Sequence, residues 1–456
     1  MSDHLIEDIA TAPSEALEKT MDASSSFFHR LFDKKPFKDA EEYWETLGPG
    51  LTTGASDDDP SGIATYSQTG ARYGFQLLWL AAFTFPLMAV VQEMCARIGL
   101  VTGRGLAANI RSHYPTWVLY LCTSLLVIAN TFNIGADLGA MAEGGTLLFP
   151  TIPVGLFVVF FAVLSVTLQI FTTYARYAKY LKYLALVLLA YVFSALMMRL
   201  DWGDVLTHAI VPTMTFSRDQ IFLVCGILGT TISPYLFFWQ TSQEVEEQIL
   251  QGKTTVRERR KETSDEDIRK MRVDVWSGML VSNVVMFFII AACAGTLYTH
   301  GITNIVTAAD AALALRPIAG EYAYLLFAIG IIGTGMLAVP VLAGSASYAL
   351  SESFGWKQGL YRPFKSAHAF YGVIILSMLV GLGLNFVGLD PIKALVWSAV
   401  ANGMIAPVIL FLIIRISGNH KIMGKRANGP IASLIGWTIV GIMSLAGSAA
   451  AVSMLR

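Results

Sequence analysis

Three consecutive carboxylates followed by a proline, Asp57-Asp58-Asp59-Pro60-Ser61-Gly62, stand inside a stretch that is otherwise apolar enough to cross a membrane. A carboxylate at bilayer depth costs roughly 2.5–3.5 kcal/mol on insertion scales, so it normally faces a protein-lined, watered cavity and marks a route for a substrate or ion. Pro60 has no amide hydrogen and crowds the preceding turn, and neither Ser61 nor Gly62 supports a helix, so the helix should break here. Freed carbonyls and a carboxylate around one gap make an all-oxygen site, the chemistry a hard divalent cation takes. Asp before Pro also commonly opens a helix, and Asp57 and Asp58 read more readily as part of a cap or a solvated boundary. Asp59 is the residue expected to hold the ion.

A second interruption, Gly229-Thr230-Thr231-Ile232-Ser233-Pro234-Tyr235, falls in the middle of a later apolar span. One proline kink would be ordinary in a membrane helix. Two broken spans in matching positions point to an inverted-repeat transporter with its site at the midplane.

The elements that must hold these breaks are membrane helices. The chain has 456 residues, 54% hydrophobic and 14% charged, with a net charge of −1 and a mean hydropathy of +0.56. Apolar runs are expected to cross at about 50–70, 75–100, 115–142, 151–172, 180–200, 219–248, 274–298, 321–350, 369–388, 392–416 and 431–454, about eleven spans, with the breaks in the first and sixth. Residues 1–45 read as a polar cytoplasmic tail without signal-peptide character, and 46–456 as one transmembrane domain: a first repeat over about 48–200, a second over about 219–416, and an extra helix over about 431–454. Basic residues gather in alternate loops, among them Arg97, Arg104 and Arg111, then Arg176, Lys179 and Lys182, then the run from Lys253 to Arg272, then Lys357, Arg362 and Lys365. By the positive-inside rule those loops and the N-terminus are cytoplasmic and the C-terminus is outside. The charge run at 253–272 is mixed in sign and reads as a solvated amphipathic helix, not as a nucleic-acid surface. Cys95, Cys122, Cys225 and Cys293 fall in apolar spans with no metal-type spacing and read as small core residues.

Several segments in register resemble the Nramp family (natural resistance-associated macrophage protein) of divalent-metal transporters. Gly48-Pro49-Gly50, followed after eight residues by Asp59-Pro60, is similar to that family's GPG and DPGN segment; Ala71 to Phe75 with Leu77-Leu78-Trp79, and Ala96 to Gly99 with Val101 to Gly105, resemble the helix that follows and its exit loop. The resemblance runs from about residue 45 to the end. It implies a leucine-transporter-type fold, alternating access, and proton-coupled uptake of Mn²⁺ or Fe²⁺.

Departures from the family pattern give the expectation a direction. Where the family has Gly and Asn after Asp-Pro, this chain has Ser61 and Gly62. Where the family has Ala and Met before the second proline, it has Thr230 and Ser233, and the His and Asn that follow in the family are Tyr235 and Leu236. The family's third-span acidic pair falls on Asn133 and Ala136, with Asp137 beside them. Losing a soft thioether leaves oxygen donors, which suit Mg²⁺ and Mn²⁺, and a roomier pocket suits an ion that keeps part of its water. The chain therefore resembles the Nramp-related branch proposed for Mg²⁺. The residues expected to face the metal are Asp59, Ser61, Gly62, Thr230 and Ser233, with Asn283 and Asn402 as amide donors, each equally able to be a helix-packing group. Asp57, Asp58, Asn133, Asp137, Tyr235 and Gln240 are candidates for the pathway.

The expected function is carriage of divalent cations, Mg²⁺ and Mn²⁺, into the cytoplasm with weak or no proton coupling; the alternative is an ordinary proton-coupled Mn²⁺/Fe²⁺ symporter. A membrane sensor on the same fold, or an intramembrane Mg²⁺-dependent enzyme, is a weaker reading, since such enzymes need a second Asp-rich patch facing the first and the sequence holds none. No enzyme activity, resident cofactor or nucleic-acid partner is expected. The partners are the metal ion and the lipid bilayer, and a monomer suffices for such a site.

Overall fold

A computed structural model of the chain describes residues 48–172, 189–261 and 263–455. The expected tail at 1–45, the basic residues Arg176, Lys179 and Lys182, and most of the fifth span lie outside the described residues. From Pro49 onward the described chain forms one compact unit.

It is all-helical. In chain order the α-helices are α1 (Pro49–Asp57), α2 (Pro60–Tyr73), α3 (Trp79–Thr102), α4 (Leu106–His113), α5 (Thr116–Leu148), α6 (Val154–Phe171), α7 (Leu189–Met197), α8 (Trp202–Ile210), α9 (Arg218–Thr231), α10 (Pro234–Leu250), α11 (Val256–Lys261), α12 (Asp265–Thr296), α13 (Ala308–Ala312), α14 (Arg316–Ala319), α15 (Ala323–Phe354), α16 (His368–Leu384), α17 (Pro391–Ser417), α18 (His420–Met423) and α19 (Pro430–Leu455). Eight helical stretches are long and apolar enough to cross a membrane, and they match eight of the expected spans. The other three are the first, split into α1 and α2; the fifth, of which α7 is the described part; and the ninth, α16, apolar but only 17 residues long.

The breaks share one local solution. At the first, α1 ends at Asp57, Asp59 is extended (φ −67°, ψ 171°) and Pro60 opens α2. At the second, α9 ends at Thr231, Ser233 is extended (φ −80°, ψ 135°) and Pro234 opens α10. In each, proline takes the first helical position, where a missing N–H is no loss and its fixed φ suits a helix. The seventh span begins earlier than hydropathy suggests, because Ser264 and Asp267 form a reciprocal capping box that carries α12 out through the charge run.

Small residues set the helix spacing around the breaks. A Cβ on Gly50 would lie 2.6 Å from the Val275 nitrogen of α12, and Gly54 and Gly278 meet backbone to backbone in the same crossing. Gly229 of α9 and Gly403 of α17 do the same on the other side, Gly403 against the backbone and sulfur of Cys225. Glycines of the eighth span serve close packing as well, Gly335 against Met141 and Gly344 against Trp239.

Candidate functional site

Asp57, Asp58 and Asp59 are all at most 1% exposed. That corrects the solvated-boundary reading of the first two. The reason is geometric: the chain turns back into the bundle at the break, and α12 packs along α1 so closely that Ser282 reaches the acids. Ser282 Oγ lies 2.7 Å from Asp57 Oδ2 and 3.4 Å from Asp58 Oδ1, and its single hydrogen serves one at a time.

Asp59 is both an N-cap and the centre of a polar network. Its Oδ1 accepts from the Gly62 amide at 2.7 Å and from Ser61 Oγ at 2.6 Å, and its Oδ2 accepts from Asn133 Nδ2 at 2.9 Å. Asn133 in turn accepts from Ser398 Oγ, so α2, α5 and α17 are joined through one carboxylate. Asp137, one turn further along α5 and wholly buried, faces the same break beside Asp59; the Ser61 backbone gives it a weak hydrogen bond at most, and neither oxygen has a partner of ordinary hydrogen-bond geometry. Asp57 Oδ1 is likewise unpartnered. None of the four carboxylates forms an ion pair with a described cation. A buried carboxylate without a partner is expensive unless a cation or a proton satisfies it.

The missing side chain at Gly62 lets the two helix breaks approach closely. A Cβ there would stand 3.1 Å from Thr230 Oγ1 and 3.2 Å from the Asp57 carbonyl oxygen, and Thr230 Oγ1 is buried with no partner of its own. Ser233 Oγ lies 2.6 Å from the carbonyls of both Gly229 and Thr230, and its single hydrogen satisfies one at a time of the acceptors freed by the second break. The nearby sulfur of Met286 sits 3.8 Å from the Thr231 hydroxyl, which hydrogen-bonds elsewhere on α9. Among the described residues no three His, Cys, Asp or Glu side chains are gathered as a closed metal cage. The site offers a few oxygen donors around a gap.

Other expected residues separate into two groups. Asn402 on α17 is buried with both amide atoms unpartnered. Asn283 turns away from the break: its oxygen accepts from Thr84 Oγ1 at 2.9 Å and its nitrogen donates to the Met279 carbonyl at 3.0 Å, which is packing between α12 and α3. Tyr235 donates to the Ser56 carbonyl at 2.8 Å and ties α10 to α1. Gln240 donates to Glu244, further down α10. Ser282 and Ser398 were not singled out from the sequence. The only signal for Ser398 is that it stands four residues, one helical turn, before Asn402.

The gap is shut at both ends. On one side α1 is wholly buried, its first amides from Gly50 and Leu51 donating to Asp274 at 2.6 and 3.0 Å. On the other, Arg72 of α2 pairs with Asp219 of α9, and Gln68 holds the 303–305 segment through the Ile305 amide and the Thr303 carbonyl.

The model of the natural resistance-associated macrophage protein-like family matches residues 50–453. This chain belongs to that family. Similar proteins include the divalent metal cation transporters MntH of Klebsiella pneumoniae, 28% identical over 403 residues (87% of this chain, 91% of the relative), and of Aeromonas hydrophila, 26% identical over 405 residues (87% and 93%). A manganese transporter of Eremococcus coleocola superposes with a TM-score of 0.67 at 18% identity, covering 88% of this chain and 84% of that one. Mhp1, a nucleobase-cation-symport-1 family transporter, superposes at 0.54 with 16% identity (89% and 90%). The shared fold is the leucine-transporter type with its first and sixth helices broken, and the chain is a multi-pass membrane protein and not an enzyme.

Proposed function

We propose that this protein carries divalent metal cations through the membrane into the cytoplasm, with Mg²⁺ and Mn²⁺ as cargo, by alternating access in two inverted repeats and with weak or no proton coupling. The N-terminus and the basic loops lie on the cytoplasmic side, and the C-terminus lies outside. The observation that carries this reading is the cluster of Asp57, Asp58, Asp59 and Asp137, buried at a helix break in a membrane protein with no cation among the described residues paired to any of them.

Asp59 is the anionic ligand in this reading. The break carbonyls, Thr230 Oγ1 and the Asn402 amide supply neutral oxygens, and Ser61, Gly62 and Ser233 shape the pocket. Oxygen donors favour Mg²⁺ and Mn²⁺ over soft ions. Closure at both ends fits an occluded state of an alternating-access cycle, with the Tyr235 bond and the Asp274 cap released as α1 swings.

The test is flux into liposomes reconstituted with purified protein, using Mg²⁺, Mn²⁺ and Cd²⁺ with and without a pH gradient. Mg²⁺ and Mn²⁺ entry driven by an inside-negative potential, worth about 4.6 kcal/mol per 100 mV for a dication, is the expected result. Flux of none of the three would overturn it. One observation favours a second reading, proton-coupled Mn²⁺/Fe²⁺ symport: Asp137 is a titratable group at the break with neither oxygen satisfied. Metal-dependent acidification of the lumen that scales with flux would select it.

A further inference from the structure

Away from the metal site, the face that carries the basic loops holds a cleft of about 540 Å³, within the size range of small-molecule sites. Its walls come from the 103–112 segment with α4, the lower half of α10, α11, and the end of α15 with the loop after it. Five cations line it: Arg104, Arg111, Arg259, Lys357 and Arg362. None has a carboxylate oxygen within salt-bridge distance among the described residues. Several cations elsewhere on the same face are paired, Arg272 with Glu93, Lys270 with Glu266, and Arg426 with Asp265.

Two acids share the cleft, and both are already committed to neutral donors. Glu246 accepts from Tyr348 Oη at 2.6 Å and from the amides of Leu360 and Tyr361 at 2.8 and 3.1 Å. Glu352 accepts from the Ala108 amide at 2.9 Å, Gln358 Nε2 at 3.0 Å and Ser242 Oγ at 3.4 Å. The carboxylates therefore shape the wall and leave an excess of positive charge, five groups against two.

The cations are held in place mainly by neutral groups, although Arg362 stands near enough to Glu246 for their charges to interact. Arg259, only 6% exposed, donates to the carbonyls of Gly103, Lys253 and Thr254, which corrects the purely solvated reading of the 253–272 run. Arg111 donates to the Glu352 carbonyl, Arg104 to Ser112 Oγ and Arg362 to the Gln358 carbonyl; Lys357 makes no hydrogen bond to a described residue. Glycine backbone makes the room: a Cβ on Gly355 (φ +72°) would lie 2.6 Å from Arg111 Nη1, and one on Gly359 (φ +119°) 2.6 Å from Glu246 Oε1. At the rim Trp356, 41% exposed and stacked on Phe354 at 4.9 Å, offers a flat apolar surface.

We propose that this cleft binds a phosphorylated anion of nucleotide size, its phosphates on Arg104, Lys357 and the fixed guanidinium groups and its flat moiety against Trp356. Guanidinium and ammonium groups gathered in excess over acids are the donor set that phosphate takes, through charge-assisted hydrogen bonds. A soluble nucleoside di- or triphosphate and the headgroup of a phosphorylated lipid share this chemistry. Ser242, Val245, Glu246 and Ile249 of α10 form one wall. An occupant would bridge α10, whose other end is the second helix break, to α11 and to the loops at 103–105 and after α15, and so slow the opening of the transport site.

The experiment uses full-length protein in neutral detergent with EDTA, titrated calorimetrically with ATP, pyrophosphate and AMP, and separately incorporated in nanodiscs of phosphatidylcholine with and without phosphatidylinositol phosphate. One saturable ATP site is expected, weakened at least tenfold in Arg104→Gln/Lys357→Gln. The control Lys421→Gln/Lys425→Gln, with the same charge change outside the cleft, should keep the affinity within twofold. Both pairs sit on exposed side chains, and a shared melting temperature confirms that they fold. If ATP does not bind but the phosphorylated lipid does, and that binding is lost in the cleft variant alone, the site stands with a lipid source. Absence of both, or equal loss in control and cleft variants, overturns it. Binding is read without transport, so its failure is distinguishable from failure of the metal-transport reading.

Discussion

Asp59→Asn isolates the charge of the proposed ligand from its structural duty. Asparagine caps a helix about as well as aspartate, so the bonds from the Gly62 amide and Ser61 Oγ can survive through the amide oxygen. The new amide nitrogen would face Asn133 Nδ2, now 2.9 Å from Asp59 Oδ2, two donors opposed. Rotation of the Asn133 amide relieves this, presenting its oxygen to position 59 and its nitrogen to Ser398, whose hydroxyl then accepts. The change to the fold is therefore about one neutral hydrogen bond, roughly 1 kcal/mol. The loss to a bound dication is larger. Removing one partner of a buried, hydrogen-bonded charge pair costs about 2–5 kcal/mol, which is about 30-fold to several thousand-fold in affinity at 1.4 kcal/mol per decade. The measurement is initial Mg²⁺ and Mn²⁺ flux in proteoliposomes over a range of metal concentrations, with size-exclusion profile and melting temperature recorded on the same preparations. Monodisperse Asp59→Asn transporting within threefold of the unmodified protein would refute the ligand assignment.

Ser233→Met with Gly62→Asn should favour Mn²⁺ and Cd²⁺ over Mg²⁺ by tenfold or more in competition flux, because it adds a thioether and a side-chain amide; the Asn must displace the Thr230 hydroxyl slightly, and equal loss for all three ions would count against the softness argument. Proteoliposomes loaded with a pH dye should show no lumenal acidification during metal entry, and Asp137→Asn should leave the pH dependence of flux unchanged; acidification that disappears in that variant establishes Asp137 as a proton carrier instead. Tyr235→Phe removes one hydrogen bond between α10 and α1, about 0.5–1.5 kcal/mol, so labelling of a cysteine placed at Leu51 by a membrane-impermeant maleimide should speed up by about two- to tenfold; an unchanged rate would show that this bond does not hold α1 closed.

The breaks were legible because proline and neighbouring small or acidic residues contradict a membrane helix in a way that no packing requirement explains. The network around Asp59 was legible only in part. Asn133 could be picked out as a polar residue at depth, but whether an amide meets a carboxylate or a carbonyl depends on helix rotation, and a sequence does not specify rotation. That is why Asn283 and its neighbour Ser282 exchange roles: one residue of helix is a 100° turn, and α12 presents Ser282 to the acids and Asn283 to α3. Asp57 and Asp58 were misjudged for a related reason. A triple acid looks like a boundary until the glycine crossing between α1 and α12 shows how deeply the first half-helix is seated.

That crossing has a thermodynamic consequence for the transport cycle. Gly50, Gly54 and Gly278 meet through backbone atoms, with no side chains between the helices at these points. A glycine has no rotamers to freeze, so seating α1 on this seam loses no side-chain entropy there, and unseating it recovers none. At this seam, α1 would move without waiting for side chains to repack. The balance between its two positions then rests on the polar fastenings at its ends, the Asp274 carboxylate on the first amides and the Tyr235 hydroxyl on the Ser56 carbonyl, and the second lies at the adjoining helix break, where a change of charge can reach it.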